Sequence, residues 1–310
     1  MRNIKIIGYG GYLPKNTVEF NGETRYWCTE EETQLDMAAQ ACLRALEQAN
    51  IGIEEIDCIV SASAVPVQPI PCTAALIHEK IALGTDIPAF DINSTCTSFV
   101  TALDTMSYLI HGGKYNRVLI VSSELASMGL NENQKESYEL FSDGACAFII
   151  EKSDNPTQGV IASMQKTWSE GAHMTEIRGG LTGLNASFYS EETREDYLFS
   201  MDGKRILSIS AKKLPPMFDE FTSKYNVRLD EVDLVVPHQA SRALALIMKK
   251  LGIREDQYIN LVKDYGNQVS VSIPYMLYHA LQTGRAKENN TVLLCGTAAG
   301  LTSNMLLLRL

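Results

Sequence analysis

The stretch Asp91-Ile92-Asn93-Ser94-Thr95-Cys96-Thr97-Ser98-Phe99 decides how this chain is read. The apolar run Ile87-Pro88-Ala89-Phe90 enters it like a buried strand, and apolar residues at helical spacing from Phe99 to Ile110 leave it like a helix. The small polar residues between them predict a tight turn that places Cys96 at a helix N-terminus. Unpaired backbone N–H groups and the macrodipole favour negative charge there. That setting predicts a lowered thiol pKa and a nucleophilic thiolate. A small cysteine buried in a strand-to-helix turn is the bland alternative, and the rest of the chain decides between them.

The same order of elements occurs twice. Ile53-Glu54-Glu55-Ile56-Asp57 and the strand from Cys58 reappear as Leu229-Asp230-Glu231-Val232-Asp233 and the strand Leu234-Val235-Val236. The helical run Ala74 to Gly84 is echoed by Ala243 to Gly252, and the strand Arg117 to Ser123 by Thr291 to Cys295. Asp57 and Asp233 lie 176 positions apart and Val118 and Val292 lie 174 apart, so the offset holds over several elements. This predicts a duplicated, mostly parallel α/β unit, residues 1–160 and 161–310, packed around a pseudo-twofold axis. Pro215-Pro216 is expected to kink or interrupt the helix predicted over Ser210 to Tyr225.

Duplication has a chemical consequence. The counterpart of the Cys96 turn is Lys263-Asp264-Tyr265-Gly266-Asn267-Gln268, which should bring Asn267 near Cys96. Pro237-His238-Gln239-Ala240 follows the duplicated strand at its carboxyl end, where open α/β sheets place their sites. A Cys, a His and an Asn brought together read as acyl-transfer machinery, with a thiol nucleophile and N–H donors for a developing oxyanion. Papain-like proteases use the same three residue types but lack this duplicated plan. Gly296-Thr297-Ala298-Ala299-Gly300-Leu301 follows the last strand, where its backbone N–H groups could complete an oxyanion hole.

Composition narrows the class. The 310 residues are 45% hydrophobic and 21% charged, ordinary values for a globular protein, and the net charge of −10 argues against general nucleic-acid binding. Seven scattered cysteines read as free thiols in a reducing compartment, and no CxxC spacing suggests a zinc site. Met1 to Gly8 runs directly into a strand, and no apolar run approaches the ~20 residues of a membrane span. The expectation is a cytoplasmic protein without metal.

These motifs resemble the thiolase superfamily, and within it the β-ketoacyl-acyl-carrier-protein synthase III branch. The Cys96 turn carries the likeness together with Phe141-Ser142-Asp143-Gly144-Ala145, Met201-Asp202-Gly203, Pro237-His238-Gln239-Ala240, Tyr265-Gly266-Asn267 and Gly296 to Thr302. The resemblance implies a five-layered αβαβα fold and a ping-pong Claisen condensation in fatty-acid or specialised lipid or polyketide synthesis. Cys96 would take an acyl group from a thioester, usually acyl-CoA, and a malonyl-acyl-carrier-protein would then lose CO₂. His238 and Asn267 would stabilise the resulting enolate, while the Cys96 and Ala299 N–H groups hold the second oxyanion. No bound cofactor is implied. An acyl carrier protein is the implied partner, docking on Arg242, Lys249 and Lys250, and the implied assembly is a homodimer. No counterpart is found for the catalytic glutamate of the related hydroxymethylglutaryl-CoA synthases.

The chain departs from the family pattern in several places. Its connection from Leu13 to Leu35 is short and omits the segment carrying a tryptophan and an arginine for the CoA adenine, although Arg25 and Trp27 lie in what remains. Ile70 stands where the partner subunit usually inserts an aromatic into the acyl pocket, Thr297 where a phenylalanine commonly gates it, and Ser241 where an asparagine is usual. Smaller residues there imply a primer other than acetyl, or a more open site. A same-fold acyltransferase that forms no carbon–carbon bond, and a non-catalytic subunit of a condensing heterodimer, are the alternatives.

Overall fold

The computed structural model describes all 310 residues. In the first half, the strands Ile4–Tyr12, Gly144–Lys152, Arg117–Glu124, Cys58–Ser61 and Ala89–Asp91 lie side by side in that order. The first two pairings are antiparallel and the last two parallel. In the second half, the matching order is Gly159–Thr167, Thr302–Arg309, Thr291–Ala298 and Leu234–Pro237. A single parallel bridge from Val235 to Tyr258 stands where Ala89–Asp91 stands in the first sheet. The two sheets thus share one topology.

Both sheets are buried on both faces, so their strands are nearly continuous apolar runs rather than alternating ones. Val118 and Ile120 face the central layer while Leu119 and Val121 face the outer helices Gln34–Ala49 and Thr73–Ile81. The second sheet divides likewise, Val292 and Leu294 inward and Leu293 and Cys295 outward, under the helices Gly203–Tyr225 and Leu244–Lys250. The helices Ser98–His111 and Ser272–Gln282 fill the layer between the sheets. Helices, sheet, helices, sheet, helices: this is the five-layered thiolase-like arrangement. No helix is long and apolar enough to cross a membrane.

Close packing of the first outer helix depends on two glycines. A Cβ on Gly8 would lie 2.5 Å from Ala45 O, and one on Gly10 would lie 2.4 Å from Ala41 O. Ala41 and Ala45 are one helical turn apart, so the helix backbone rests directly on the strand. Gly10→Ala is therefore expected to cost roughly 1–3 kcal/mol through forced separation of helix and strand. A lowered urea midpoint with unchanged slope is the readout, and an unchanged midpoint counts against this packing.

One local expectation is corrected, and the short connection from Leu13 to Leu35 holds two further features. The first outer helix starts after Thr33. Thr33 is its N-cap, in a reciprocal capping box with Asp36. That connection contains a hairpin, Thr17–Phe20 with Glu23–Tyr26, turning at Asn21-Gly22, both with positive φ. Pro215 and Pro216 do not interrupt their helix, which runs unbroken from Gly203 to Tyr225. Pro215 has no N–H for the carbonyl of Ala211, and Lys250 Nζ donates to that oxygen instead at 2.8 Å.

Candidate active site

Cys96 sits between the strand Ala89–Asp91 and the helix that begins at Ser98, with Thr97 as its N-cap. The turn is held by side chains of its own sequence. Thr95 adopts a left-handed φ of 52°, and its N–H donates to Asn93 Oδ1 at 2.8 Å. Ser94 N–H donates to Ser98 Oγ at 2.9 Å, and the Thr95 hydroxyl donates to Ala299 O at 3.3 Å. That last contact joins the turn to the bend between the strands Thr291–Ala298 and Thr302–Arg309, so Gly296 to Ala298 lie within a strand rather than in a loop after the last one. The backbone N–H groups of Cys96 and Ala299 both aim at the Cys96 sulfur.

The surroundings of Cys96 work against the expected resting thiolate. Burial pushes the Cys96 thiol up to about 12, the nearby Glu124 carboxylate pushes the same way, and the two N–H groups only partly offset them. Desolvation outweighs what the helix N-terminus offers. These influences favour the protonated thiol, whose proton then needs an acceptor.

The second turn repeats the first at an offset of 174. Asn267 matches Asn93, Val269 matches Thr95 and Ser270 matches Cys96. Val269 has φ 53°, and its N–H donates to Asn267 Oδ1 at 2.9 Å, repeating the Asn93–Thr95 contact. A β-branched residue with positive φ is costly and marks a conformation imposed by its surroundings. Arg25 supplies part of that imposition. Its fully buried guanidinium donates to the carbonyls of Val262 at 3.3 Å, Lys263 at 3.1 Å and Glu139 at 2.8 Å, and pairs with Glu23. The N-terminal hairpin is thus fastened over the approach to Asn267. Gly266 is needed there because its φ is +65° and a Cβ would meet Leu140 O at 2.4 Å.

His238 follows the strand Leu234–Pro237, and its N–H donates to Cys295 O at 2.9 Å. Next to it, the Gln239 carboxamide donates to Pro237 O at 2.9 Å and to Ile259 O at 3.1 Å, and accepts from Leu261 N–H at 2.8 Å. The imidazole lies between two oxygens. Nδ1 is 2.9 Å from Thr297 O and Nε2 is 3.0 Å from Asn267 Oδ1. A backbone carbonyl can only accept, so Nδ1 carries a proton and Nε2 is the nitrogen that gains or loses one. Burial lowers the ring's affinity for a second proton, and the contacts to Asn267 and Thr297 oppose that shift. His238 and Asn267 thus meet directly, and Ala299 meets Cys96. A cavity of about 50 Å³ is lined by His238, Ser241 and Thr297 and shares Leu214, Ile247 and Leu251 with an outer groove of about 490 Å³.

The remaining expected residues divide. Thr297 is at the site, through its carbonyl on His238. Ile70 is 84% exposed and touches no part of the site within its own chain. Of the basic trio, Arg242 is bound by Glu23, with Nη2 at 2.7 Å, and Lys250 is spent on Ala211 O. Lys249 is exposed and makes no ion pair. Arg25 is buried and Trp27 donates to Phe141 O at 2.9 Å, so their polar groups face the protein interior. One buried acid escaped the sequence reading. Glu124 is 1% exposed, ends the strand Arg117–Glu124, and is raised to about 7 by burial, against hydrogen bonds from Ser270, Ala64 and Val65. Its only signal in the sequence is an acid closing the run Val118 to Ser123.

A duplicated five-layered fold with a cysteine and an asparagine on its two central turns, and a histidine at the end of a neighbouring strand, defines a thiolase-fold, acyl-transferring enzyme. Comparison with known proteins narrows the class. Residues 90–168 match the model of 3-oxoacyl-[acyl-carrier-protein (ACP)] synthase III, and residues 222–310 match that of its C-terminal part. The chain is 32% identical to the β-ketoacyl-[acyl-carrier-protein] synthase III of Clostridium perfringens (strain 13 / Type A) over the full length of both. It is 30% identical to the enzyme of the same name from Neisseria gonorrhoeae (strain NCCP11945), again over the full length of both. The crystal structure of 3-oxoacyl-[acyl-carrier-protein] synthase III from Aquifex aeolicus VF5 superposes with a TM-score of 0.87 at 28% identity, covering 99% of this chain and 100% of that one. The chain belongs to the 3-oxoacyl-[acyl-carrier-protein] synthase III family of condensing enzymes.

Proposed function

We propose that the protein elongates an acyl primer by decarboxylative Claisen condensation on Cys96, as a β-ketoacyl-acyl-carrier-protein synthase III. His238, held between Thr297 O and Asn267 Oδ1, is the observation that carries this reading. Its Nδ1–H is committed to a carbonyl, so in the neutral ring the lone pair is on Nε2, and a proton taken up there completes the hydrogen bond to Asn267 Oδ1. In the first half-reaction the Cys96 sulfur attacks an acyl thioester and its proton passes to Nε2. The oxyanion sits on the Cys96 and Ala299 N–H groups, which already aim at the sulfur. The donor leaves as a thiolate and takes a proton from water.

In the second half-reaction a malonyl thioester enters with its carbonyl oxygen on the imidazolium Nε2–H, in place of Asn267 Oδ1, and on the Asn267 Nδ2–H₂. Loss of CO₂ leaves an enolate whose oxygen is held by those donors. Its carbon attacks acyl-Cys96, the carbon–sulfur bond breaks, and the freed Cys96 thiolate recovers its proton from His238. Acyl-CoA and a malonyl-acyl carrier protein are the substrates of this reading, and no bound cofactor takes part. The ~50 Å³ cavity beside His238 and Thr297 is the space we assign to the end of the thioester arm.

An acidic carrier would meet Lys249, the one free cation of the expected patch, by electrostatic steering. A homodimer is the proposed assembly, paired through the segment with exposed Val65, Val67 and Ile70. All seven cysteines are unpaired, which fits a reducing, cytoplasmic setting. The test is intact-protein mass spectrometry with a panel of acyl-CoAs and acyl-carrier thioesters, followed by malonyl thioester and product analysis. A β-ketoacyl product supports the reading. An acyl-enzyme that transfers its acyl group without CO₂ release replaces it with simple acyl transfer.

A further inference from the structure

The pseudo-symmetry counterpart of the nucleophile is Ser270, at the same offset of 174 that relates Thr95 to Val269. Where Cys96 receives N–H groups, Ser270 gives its hydroxyl hydrogen to the buried Glu124 carboxylate. The same carboxylate accepts the N–H of Ala64, with further backbone bonds from Val65 and Ser270 itself. Glu124 thus ties three segments together: the end of its own strand, the loop after Cys58–Ser61, and the turn that carries Asn267. That turn needs tying. Val269 is held at φ 53°, and its N–H fixes the carboxamide of Asn267, which in turn meets His238.

We propose that Glu124 is a positioning residue for Asn267, acting through Ser270 and the left-handed Val269. The inference rests on the condensing reading above and assigns a duty to a buried acid that the reaction itself leaves unused. The chain of contacts runs Glu124, Ser270, Val269, Asn267, His238, each link a hydrogen bond or a peptide bond. Glutamine at 124 would keep the shape but offer only one accepting oxygen. Its N–H₂ would replace one accepting oxygen among four donors, the Ser270 hydroxyl and the N–H groups of Ala64, Val65 and Ser270, so the turn would lose a fixed anchor. The negative charge that opposes ionisation of Cys96 would vanish at the same time.

These two effects push the half-reactions in opposite directions, which a general weakening of the fold cannot do. The experiment compares wild type, Glu124→Gln and Ser270→Ala in separate assays. Acylation of Cys96 is followed by intact mass, and CO₂ release from a malonyl thioester is followed on the acylated enzyme. Glu124→Gln is expected to acylate as fast as wild type or faster. Its CO₂ release should fall about tenfold to a hundredfold in kcat with KM little changed, the scale of a displaced reacting group. Ser270→Ala should lose CO₂ release in the same way without the gain in acylation. Equal losses in both assays, or CO₂ release as fast as wild type, overturn the proposal. Failure of wild type itself to release CO₂ overturns the condensing reading instead.

Discussion

Cys96→Ala is expected to abolish the acyl mass gain on incubation with acyl thioesters and to cut β-ketoacyl formation by roughly 10³-fold or more, since the covalent route has no substitute. Six other cysteines compete for this assignment, and their surroundings separate them. Cys42, Cys146 and Cys295 are buried, and burial drives all three thiols up with no N–H groups converging from another turn. Cys58 is buried in the first sheet, and Cys28 packs against Met37 beside Asp143. Cys72 is exposed and will react with general thiol reagents, but it lies just before the helix Thr73–Ile81. Cys72→Ser should therefore leave acylation by thioesters at the wild-type rate. A mass gain that survives Cys96→Ala and disappears with Cys72→Ser would sink the assignment of the nucleophile.

The residues that announced themselves in the sequence are those fixed by covalent order. Apolar runs and their constant offset revealed the duplication, because strands buried on both faces leave a continuous apolar trace. His238 and Asn267 were found because they sit at fixed distances from duplicated strands, and the structure brings their side chains to 3.0 Å. Missed features depend on what surrounds a residue through space. The Cys96 turn reads as anion-friendly, but the sequence does not say that the residue is half-buried near Glu124, and desolvation and that carboxylate both push the thiol pKa up. Glu124 itself is an ordinary acid at a strand end until Ser270, 146 residues away, is folded against it. Arg242 and Lys250 read as a solvated basic patch because their partners, Glu23 and the carbonyl that Pro215 leaves unpaired, are remote in sequence or hidden in the backbone. The finer pairing at the site, Cys96 with Ser270 and Asn93 with Asn267, required the positive φ values of Thr95 and Val269 to align the two turns.

His238→Ala and Asn267→Ala are expected to separate the roles of the two donors. In the proposed mechanism alanine at 238 removes both the acceptor for the Cys96 proton and the Nε2–H that holds the enolate, so both half-reactions should slow by about 10²–10⁴-fold, the usual span for a positioned acid–base group. Alanine at 267 leaves the imidazole on Thr297 O and removes one enolate donor. CO₂ release should then fall about 10²–10³-fold while acylation changes little. The pH dependence follows from the direction of the His238 shift. Burial favours the neutral ring, so its titration lies below the ordinary value of 6.5 and the accepting form persists as the pH falls through that value. Wild-type acylation should therefore hold level on descending through pH 6.5 and decline only further into acid, in the window where Nε2 is already occupied by a solvent proton. Asn267→Ala also removes a contact that favours the protonated ring, so its acylation should extend to still lower pH. A decline centred above 6.5, or an Asn267→Ala profile moved toward higher pH, would show that Nε2 is not the group receiving the thiol proton.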